Sequence, residues 1–425
     1  MTALRSIALV ALFAVTGCGS IAKGVAEAVL EQSEKEDTRA CHIDGPATLG
    51  LEAMLQRQEA DRAAGNQHRE LKVLMVHGIG QHIPGYSGRL TENLMGALGL
   101  DLRQEKSKEF TLRNPDVWDG PLGRLRATRY MNKARTRELI FYELTWSEIT
   151  EGEKKAIEFD SSKEYTFRRA TLNGFMKSFI NSHIPDPLIY LGEAHRPILA
   201  SVQQSVCWMT VGDWSALPDS ADKACDLFHP GRLQVFQDDE LVFITHSLGS
   251  RIVIDMIQAV GDWALKQESP EFIQMNRVMR EKQLRIYMMA NQLPLLELGR
   301  KPAAVRGQIP EHCSPEGSLT DQRLLGETSI YAFSDPNDIL SYPIPPKFAD
   351  DYMDSRFCPR ITNITINVAK PVNLFGISEV ANPLEAHGGY EADDRVIEMM
   401  AFGIGHEGQS DLVTERCTWQ ETITE

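Results

Sequence analysis

The sequence has no apolar run long enough to cross a bilayer, no excess of positive charge and no repeated segment. Its longest apolar run near the start, residues 7–15, is shorter than the ~20 residues that a membrane-spanning helix needs. Lysine and arginine number 44 against 59 aspartate and glutamate residues, so the formal net charge is −15. This balance argues against a broad nucleic-acid-binding surface. The absence of a period of about 20–50 residues excludes a solenoid or a propeller.

Motifs for metal and nucleotide binding are also missing. The sequence has no CxxC pair, no close grouping of histidine and cysteine that suggests zinc, and no G-x-x-x-x-G-K-[ST] loop. Hydrophobic residues make up 42% and charged residues 24% of the 425 residues, which is ordinary for a globular protein. We therefore expect a large buried core, no metal ion, no cofactor and no nucleic-acid partner.

The amino terminus has the pattern of an export signal. Arg5 precedes the apolar run, which ends in Val15-Thr16-Gly17-Cys18. This tetrad resembles the lipobox of bacterial lipoproteins, which implies a signal peptide over residues 1–17, an acylated Cys18 and a lipid-anchored tether over residues 18–45. The resemblance places the protein in the bacterial cell envelope, and the glycine after the cysteine favours the outer membrane facing the periplasm. A plain secretory signal with a chance cysteine is the alternative.

Apart from Cys18, the sequence has six cysteines, and an even number in an exported protein favours disulfide bonds. Closeness in the sequence favours the pairs Cys207–Cys225 and Cys313–Cys358. The remaining pair, Cys41–Cys417, would then join the two ends of the domain. Buried free thiols are the alternative.

Six short β-rich runs alternate with longer polar or helical stretches. Several runs are almost continuously apolar, which is typical of strands buried on both faces of a sheet. Strands separated by helical stretches predict right-handed crossovers and a largely parallel sheet, so we expect an α/β domain over residues 46–425. The runs are Leu71–Val76, Glu138–Leu144, Leu241–Thr245, Leu284–Ala290, Ser329–Phe333 and Ile361–Val368.

The stretch from about residue 147 to residue 235 is too long for a single crossover. It contains helical patches at Tyr165–Phe179 and Pro197–Met209, with Pro185-Asp186-Pro187 as a break between them. These features predict a helical insertion that lies over one end of the sheet as a cap.

A strand that runs directly into a serine turn is the strongest chemical motif. Leu241–Thr245 is followed by His246-Ser247-Leu248-Gly249 and then by an apolar helix. This pattern resembles the nucleophile elbow, G-x-S-x-G, of α/β-hydrolases, with Thr245 in place of the first glycine. The resemblance implies an α/β-hydrolase fold, a mostly parallel sheet flanked by helices, with Ser247 as the nucleophile. The alternative is a serine in an ordinary strand–helix turn.

An earlier strand ends in His77-Gly78-Ile79-Gly80, which resembles the oxyanion loop of the same superfamily. The resemblance implies that the backbone N–H of Ile79 (or Gly80) and that of Leu248 stabilise the developing negative charge. The histidine of this segment is expected to fix the loop. A dinucleotide-binding G-x-G-x-x-G loop does not fit, because Ile83 stands at the third glycine.

Two aspartates follow the Ser329–Phe333 strand, where the superfamily carries its acid. Asp338, which precedes an isoleucine–leucine pair, fits the superfamily pattern. Asp335 is the alternative acid, although Asp335-Pro336-Asn337 also fits a simple turn.

A histidine on a loop after the last strand completes the resemblance. His387 lies in Ala386-His387-Gly388-Gly389, ahead of a final helix. The order of Ser247, Asp338 and His387 is the nucleophile–acid–base order of α/β-hydrolases. His246 and His406 are the alternative bases.

These ordered motifs imply a serine hydrolase, an esterase or lipase that cleaves carboxylic esters through an acyl-enzyme intermediate and needs no cofactor. A membrane anchor at Cys18 makes lipid esters plausible substrates. An amidase or peptidase that uses the same triad is the alternative among enzymes. A non-catalytic envelope binding module on a hydrolase fold is the alternative outside enzymes. The sequence does not name a protein partner, an acyl chain length or an oligomeric state.

Overall fold

The computed structural model describes residues 39–420, except 67–68, 103–105, 162–168, 228, 230, 375–377 and 406–407. The predicted signal peptide, Cys18 and His406 lie outside the described residues. The larger of two compact units comprises residues 40–369 and 383–425, while residues 370–382 belong to a second unit and contain a short hairpin. The candidate site lies entirely in the larger unit.

The elements are numbered in chain order. The strands are β1 (Cys41–Asp44), β2 (Thr48–Leu49), β3 (Leu71–Val76), β4 (Asp101–Leu102), β5 (Lys108–Asn114), β6 (Trp118–Met131), β7 (Glu138–Thr145), β8 (Ser220–Ala224), β9 (Glu240–His246), β10 (Gln283–Met289), β11 (Glu327–Ser334), β12 (Pro359–Ile366), β13 (Val372–Leu374), β14 (Ser378–Val380), β15 (Gly403–Ile404) and β16 (Thr418–Gln420). The helices are α1 (Leu51–Ala63), α2 (Gly88–Ala97), α3 (Glu148–Glu158), α4 (Thr171–His183), α5 (Pro185–Leu191), α6 (His195–Met209), α7 (Arg232–Asp238), α8 (Gly249–Ala264), α9 (Pro270–Glu281), α10 (Leu293–Glu297), α11 (Ile309–Cys313), α12 (Phe348–Tyr352), α13 (Pro383–Gly388), α14 (Asp394–Phe402) and α15 (Asp411–Arg416). Short 3₁₀ turns cover Phe159–Ser161, Thr320–Gln322, Ser355–Phe357 and Gly389–Ala392.

The protein has an α/β architecture in which helices flank a large, mostly parallel sheet. The middle of the sheet is six parallel strands in the order β12-β11-β10-β9-β3-β7. These are the six strands that the sequence predicts, with ends that differ by at most two residues. In β3, Val73 and Met75 belong to the core on one face and Leu74 and Val76 to the core on the other. Coverage on both faces explains why the strand is continuously apolar.

Further strands extend the sheet at both edges, and the sequence analysis does not predict them. On one side β6 is antiparallel to β7 and β5 is antiparallel to β6, with β8 beside β5. On the other side β1 pairs with β12 and β16. The sequence analysis assigns Cys41–Asp44 to the tether, but these residues form β1, and Ile43 within it is fully buried. The alternating pattern of β6 is broken by Gly120, Pro121 and Gly123, which weakens its strand signal.

The chain leaves β3 and β9 towards opposite sides of the sheet. After β3 it continues to β7 on one side, and after β9 it continues to β10, β11 and β12 on the other. In open α/β sheets, a crevice forms outside the carboxyl ends of two such neighbouring strands, and ligands bind there. His77 and Gly78 follow β3, and Ser247 follows β9. The two glycine-containing motifs of the sequence therefore meet at this crevice.

Helices cover both faces of the sheet. Helices α6 and α8 pack together on one face, and α1, α2 and α14 pack on the other. The sequence analysis assigns Pro197–Met209 to a cap, but this segment is α6, which contacts β3, β5, β6 and β7 and is almost wholly buried. Helix α6 belongs to the core because apolar side chains project from most of its faces. None of the helices in the described ranges is both long and apolar enough to cross a membrane.

Three disulfide bonds link the pairs that the sequence predicts. Cys41 is bonded to Cys417, Cys207 to Cys225 and Cys313 to Cys358. The first joins the beginning and the end of the larger unit. The second joins the end of α6 to the segment after β8, and the third joins the end of α11 to the residue before β12, 45 positions along the chain.

A buried cation lies at the amino-terminal end of the central strands. The fully buried Lys72 Nζ is 2.6 Å from Asp239 Oδ2 and 3.1 Å from Glu70 Oε2. It also donates hydrogen bonds to the carbonyl oxygens of Met209 and Gly212. Burial raises the pKa of Glu70 to about 7, with Lys72 opposing the rise and the charge of Asp239 adding to it. One ammonium group thus faces two carboxyl groups, and Glu70 keeps a proton into the neutral range.

Candidate active site

Ser247 occupies the sharp turn between β9 and α8. Its backbone φ is +55°, a left-handed conformation that is strained for serine. Its N–H donates to the Met289 carbonyl oxygen at 2.9 Å, and its own carbonyl oxygen accepts hydrogen bonds from the backbone and side chain of Ser250. The turn is therefore fixed by its backbone. The hydroxyl oxygen is buried and has no hydrogen-bond partner among the described residues.

Two glycines allow the loop after β3 to approach this turn closely. A Cβ atom on Gly78 would lie 2.4 Å from Ser247 Cβ and 2.6 Å from the His246 carbonyl oxygen. A Cβ atom on Gly249 would lie 2.4 Å from the Val76 carbonyl oxygen. Side chains at these positions would push the two motifs apart, because real Cβ contacts are essentially never shorter than 3.0 Å. Steric contact thus explains the glycine in each motif.

Backbone N–H groups next to Ser247 are available to bind an anion. Those of Ile79 and Leu248 donate no hydrogen bond to any described residue. Leu248 directly precedes α8, where the helix dipole favours negative charge. The N–H of Gly80 instead donates to Asp186 Oδ2 at 2.7 Å. Of the two loop N–H groups that the sequence analysis considers, that of Gly80 is therefore occupied and that of Ile79 is not.

Asp186 connects the insertion to this loop. It lies in α5 and is fully buried. Its Oδ1 accepts a hydrogen bond from Thr150 Oγ1 at 2.8 Å and lies 2.6 Å from Lys154 Nζ, while Oδ2 holds Gly80. From the sequence, the segment around Asp186 is expected only to break two helices, and this contact is not predicted. The available signal was an aspartate between two prolines at a helix start, where a carboxylate can accept from a backbone N–H.

His77 fixes the loop through both ring nitrogens. Its Nε2 accepts the Trp146 N–H at 3.1 Å, and its Nδ1 donates to the Gly78 carbonyl oxygen at 2.9 Å. The ring stacks on Trp146 with centroids 4.7 Å apart. Burial lowers the pKa of His77 well below its usual value, so the imidazole is neutral. These contacts agree with the expected loop-fixing role.

His387 and Asp338 are hydrogen bonded. His387 Nδ1 lies 2.8 Å from Asp338 Oδ2, and Asp338 Oδ1 accepts the Leu340 N–H at 2.9 Å. Burial disfavours the charged form of Asp338, but the hydrogen bond and charge of His387, together with hydrogen bonds from Leu340 and Ser341, outweigh it, so the pKa of Asp338 lies below the usual value. His387 Nε2 is buried and has no partner among the described residues. The structure therefore does not join this nitrogen to Ser247 by a hydrogen bond.

His246 directly precedes Ser247 in the sequence and contacts His387 in the folded chain. Its Nε2 donates to the His387 carbonyl oxygen at 2.7 Å, and the two rings meet edge to face with centroids 5.0 Å apart. Burial lowers the pKa of His246 to about 3, with His387 adding to the shift. A neutral ring that donates to a carbonyl oxygen positions α13, the short helix that carries His387 where the sequence predicts a loop.

Asp335, the alternative acid, is engaged with backbone groups instead. Its Oδ2 accepts the N–H groups of Val368 and Ala369 at 2.7 and 3.0 Å, and its Oδ1 accepts the N–H of Asn337 at 2.8 Å. Its own N–H donates to Tyr390 Oη at 2.7 Å. Of the two candidate acids, Asp338 is therefore the one that contacts His387, whereas Asp335 holds backbone segments together.

The described residues contain no group of three or more histidine, cysteine, aspartate or glutamate side chains that could hold a metal ion. The site offers instead a strained serine, a histidine–carboxylate pair and unpaired backbone N–H groups. Comparison with known families, curated proteins and solved structures gives no match. The function must therefore be inferred from the chain's own residues and from the geometry of this site.

Proposed function

We propose that the protein is a serine hydrolase of the α/β-hydrolase type that cleaves carboxylic esters. The proposal depends on the hydrogen-bonded pair of His387 and Asp338 and on two buried atoms that have no partner among the described residues, His387 Nε2 and Ser247 Oγ. Buried polar atoms are nearly always paired in folded proteins, and a catalytic role is one reason for an exception. The strained backbone of Ser247 supports the same conclusion, because such strain is concentrated at functional sites.

In the proposed reaction, Asp338 accepts the Nδ1–H of His387 and leaves Nε2 able to accept a proton. Ser247 Oγ attacks the ester carbonyl carbon as its proton passes to Nε2. That proton then passes to the alkoxide oxygen of the leaving group, and the alcohol departs from an acyl-serine. Water next gives a proton to Nε2 and attacks the acyl carbon. The serine takes the proton back and the carboxylic acid leaves, so one ester and one water yield one alcohol and one acid.

The N–H groups of Ile79 and Leu248 are the proposed oxyanion hole. Negative charge develops on the carbonyl oxygen during each attack, and one such donor is worth about 3–4 kcal/mol of barrier lowering. Asp186 acts as a positioning residue in this scheme, because it holds the amide next to Ile79 without facing the substrate.

The proposed first proton transfer requires Ser247 Oγ to turn towards His387 Nε2. A serine side chain rotates between three staggered positions. Catalytic hydrogen bonds are often long or poorly aligned before substrate binds. We therefore expect a covalent inhibitor on Ser247 to order the site with these two groups within hydrogen-bonding distance.

Apolar side chains around the crevice favour a lipid ester as substrate. Among the most exposed large apolar residues are Ile83, Leu298 and Ile339, which lie on the segments that follow β3, β10 and β11. Exposed apolar surface of this kind suits contact with acyl chains.

Anchoring through an acylated Cys18 in the bacterial envelope is part of the same proposal, and a Cys18→Ser variant should lose incorporation of labelled palmitate.

Labelling with a fluorophosphonate probe tests the proposal. The full-length protein should be labelled, whereas Ser247→Ala and His387→Ala should not. Ser215→Ala, which removes an exposed serine outside the site, is the matched control and should be labelled as the parent is. A folded parent that resists labelling would refute the mechanism and favour a non-catalytic binding module.

The acid and the substrate class need separate measurements. Asp338→Asn should abolish hydrolysis without a comparable loss of stability. Asp335→Asn should mainly destabilise the fold, since its carboxylate holds three backbone N–H groups. A panel of matched esters and amides then separates an esterase or lipase from an amidase or peptidase.

A further inference from the structure

An apolar cavity of about 280 Å³ lies between α6, α7, α8, α9 and the sheet. Phe236, Leu241, Phe243, Val260 and Met275 are among its lining residues. Phe243 precedes Ser247 by four strand positions, which corresponds to roughly 13 Å at ~3.3 Å per residue. The lining includes none of Ser247, Asp338 and His387. The cavity is therefore separate from the candidate active site.

A cation lies at this cavity, and no carboxylate among the described residues pairs with it. Arg232 lines the cavity, and its Nε and Nη1 donate to the backbone carbonyl oxygens of Asp226 and Cys207. In the part of the chain that the structure describes, no carboxylate forms an ion pair with it. Partial burial lowers the pKa of Arg232, with the more distant charge of Asp226 opposing, yet a guanidinium stays charged at neutral pH. His229 and Gln274 also lie in the lining.

The lining and the cation together specify an amphipathic anion. Polar atoms are scarce in the lining, so the cavity suits a hydrocarbon chain. A cavity of about 150 Å³ holds benzene, so by proportion the volume here holds about eleven carbon atoms. A carboxylate is the natural partner of a guanidinium, because the two form paired charge-assisted hydrogen bonds.

We propose that this cavity binds an unbranched fatty acid of about ten or eleven carbons, with its chain among the apolar side chains and its carboxylate at Arg232. The proposal is independent of hydrolysis, since it uses no residue of the candidate active site. A measurement of binding therefore tests this proposal without any assay of hydrolysis.

Isothermal titration calorimetry of the full-length protein with sodium salts of saturated fatty acids tests the length dependence. From hexanoate upwards, each added methylene should tighten binding about fourfold, because each buried methylene contributes a similar free energy. The gain should stop near ten or eleven carbons, where the cavity is full. Absence of binding by decanoate, or a gain that continues unchanged to tetradecanoate, would overturn the proposal.

Three variants locate the bound ligand. Arg232→Gln should weaken decanoate binding by about tenfold or more and leave 1-decanol binding nearly unchanged. Val260→Phe, which fills the cavity, should weaken binding of both ligands. Arg277→Gln, on the exposed side of α9, is the matched control and should bind decanoate as the parent does. Equal loss in Arg277→Gln and Arg232→Gln, or no loss in a folded Val260→Phe, would show that the ligand binds elsewhere.

Discussion

Replacement of Gly78 by alanine is the sharpest test of how the site is assembled. The new methyl carbon would lie 2.4 Å from Ser247 Cβ and 3.0 Å from Ser247 Oγ, whereas ordinary contacts begin at 3.4 Å. The loop after β3 and the serine turn must therefore separate by about 1 Å, since 3.4 Å less 2.4 Å is 1.0 Å. The serine turn is fixed by backbone hydrogen bonds, and the loop is fixed by hydrogen bonds to the side chains of His77 and Asp186, so neither yields easily.

A displacement of about 1 Å in a catalytic site can cost about a hundredfold in rate. The Ile79 N–H would move away from the position of the developing oxyanion, so we expect kcat to fall by about that factor and KM to change little. Overpacking should also cost about 1–3 kcal/mol in the free energy of unfolding. Hydrolysis of p-nitrophenyl butyrate measures the first effect and urea denaturation the second.

The matched control is Gly96→Ala in α2, where a Cβ atom would meet nothing within 4 Å. This variant should keep full activity and gain roughly 0.5–1 kcal/mol, because alanine favours a helix more than glycine does. A folded Gly78→Ala protein with the parent value of kcat would refute the proposed contact between the loop and the serine turn.

Three further predictions concern buried charges and a disulfide. Asp186→Asn should leave Lys154 as an unpaired buried charge and cost about 3–5 kcal/mol in urea denaturation; equal stability of variant and parent would contradict this. Glu70 binds a proton more tightly in the folded state, so the stability that it contributes is present below pH 4.5 and declines up to its folded pKa of about 7. Glu70→Gln should remove this pH-dependent fall in the free energy of unfolding, which amounts to up to about 3 kcal/mol. Free energies of unfolding that vary with pH in the same way in variant and parent would refute this prediction. Replacing both Cys207 and Cys225 by alanine should cost about 3 kcal/mol by chain entropy, and reductant should then have a smaller effect on the variant than on the parent.

Several of the six central strands are predictable because burial on both faces leaves a local signature, a short and continuously apolar run, whereas β12 alternates. The added edge strands lack that signature, since β6 alternates and is interrupted by glycine and proline. Helix α6 is predicted as a helix but assigned to the wrong place. Its periodicity shows that it is helical, but its burial depends on strands that are remote in the sequence.

The same distinction applies to the site. Ser247, Asp338 and His387 can be nominated because each follows a strand in a recognisable order. The hydrogen bond between Asp186 and Gly80 joins residues 106 positions apart, so no local pattern predicts it. The choice between two neighbouring aspartates also needed the structure, because their loop directs one carboxylate to His387 and the other to backbone N–H groups.

The bond between Cys41 and Cys417 has a mechanical consequence. Cys41 begins β1, the strand through which the chain enters the larger unit, and β1 lies between β12 and β16. Tension applied to the chain ahead of Cys41 passes through the covalent bond to the segment before β16, as well as through the hydrogen bonds of β1. While the disulfide is intact, a pull on the amino-terminal tail therefore cannot detach β1 or β16 from the sheet separately. Reduction would leave β1 to detach from β12 one hydrogen bond at a time.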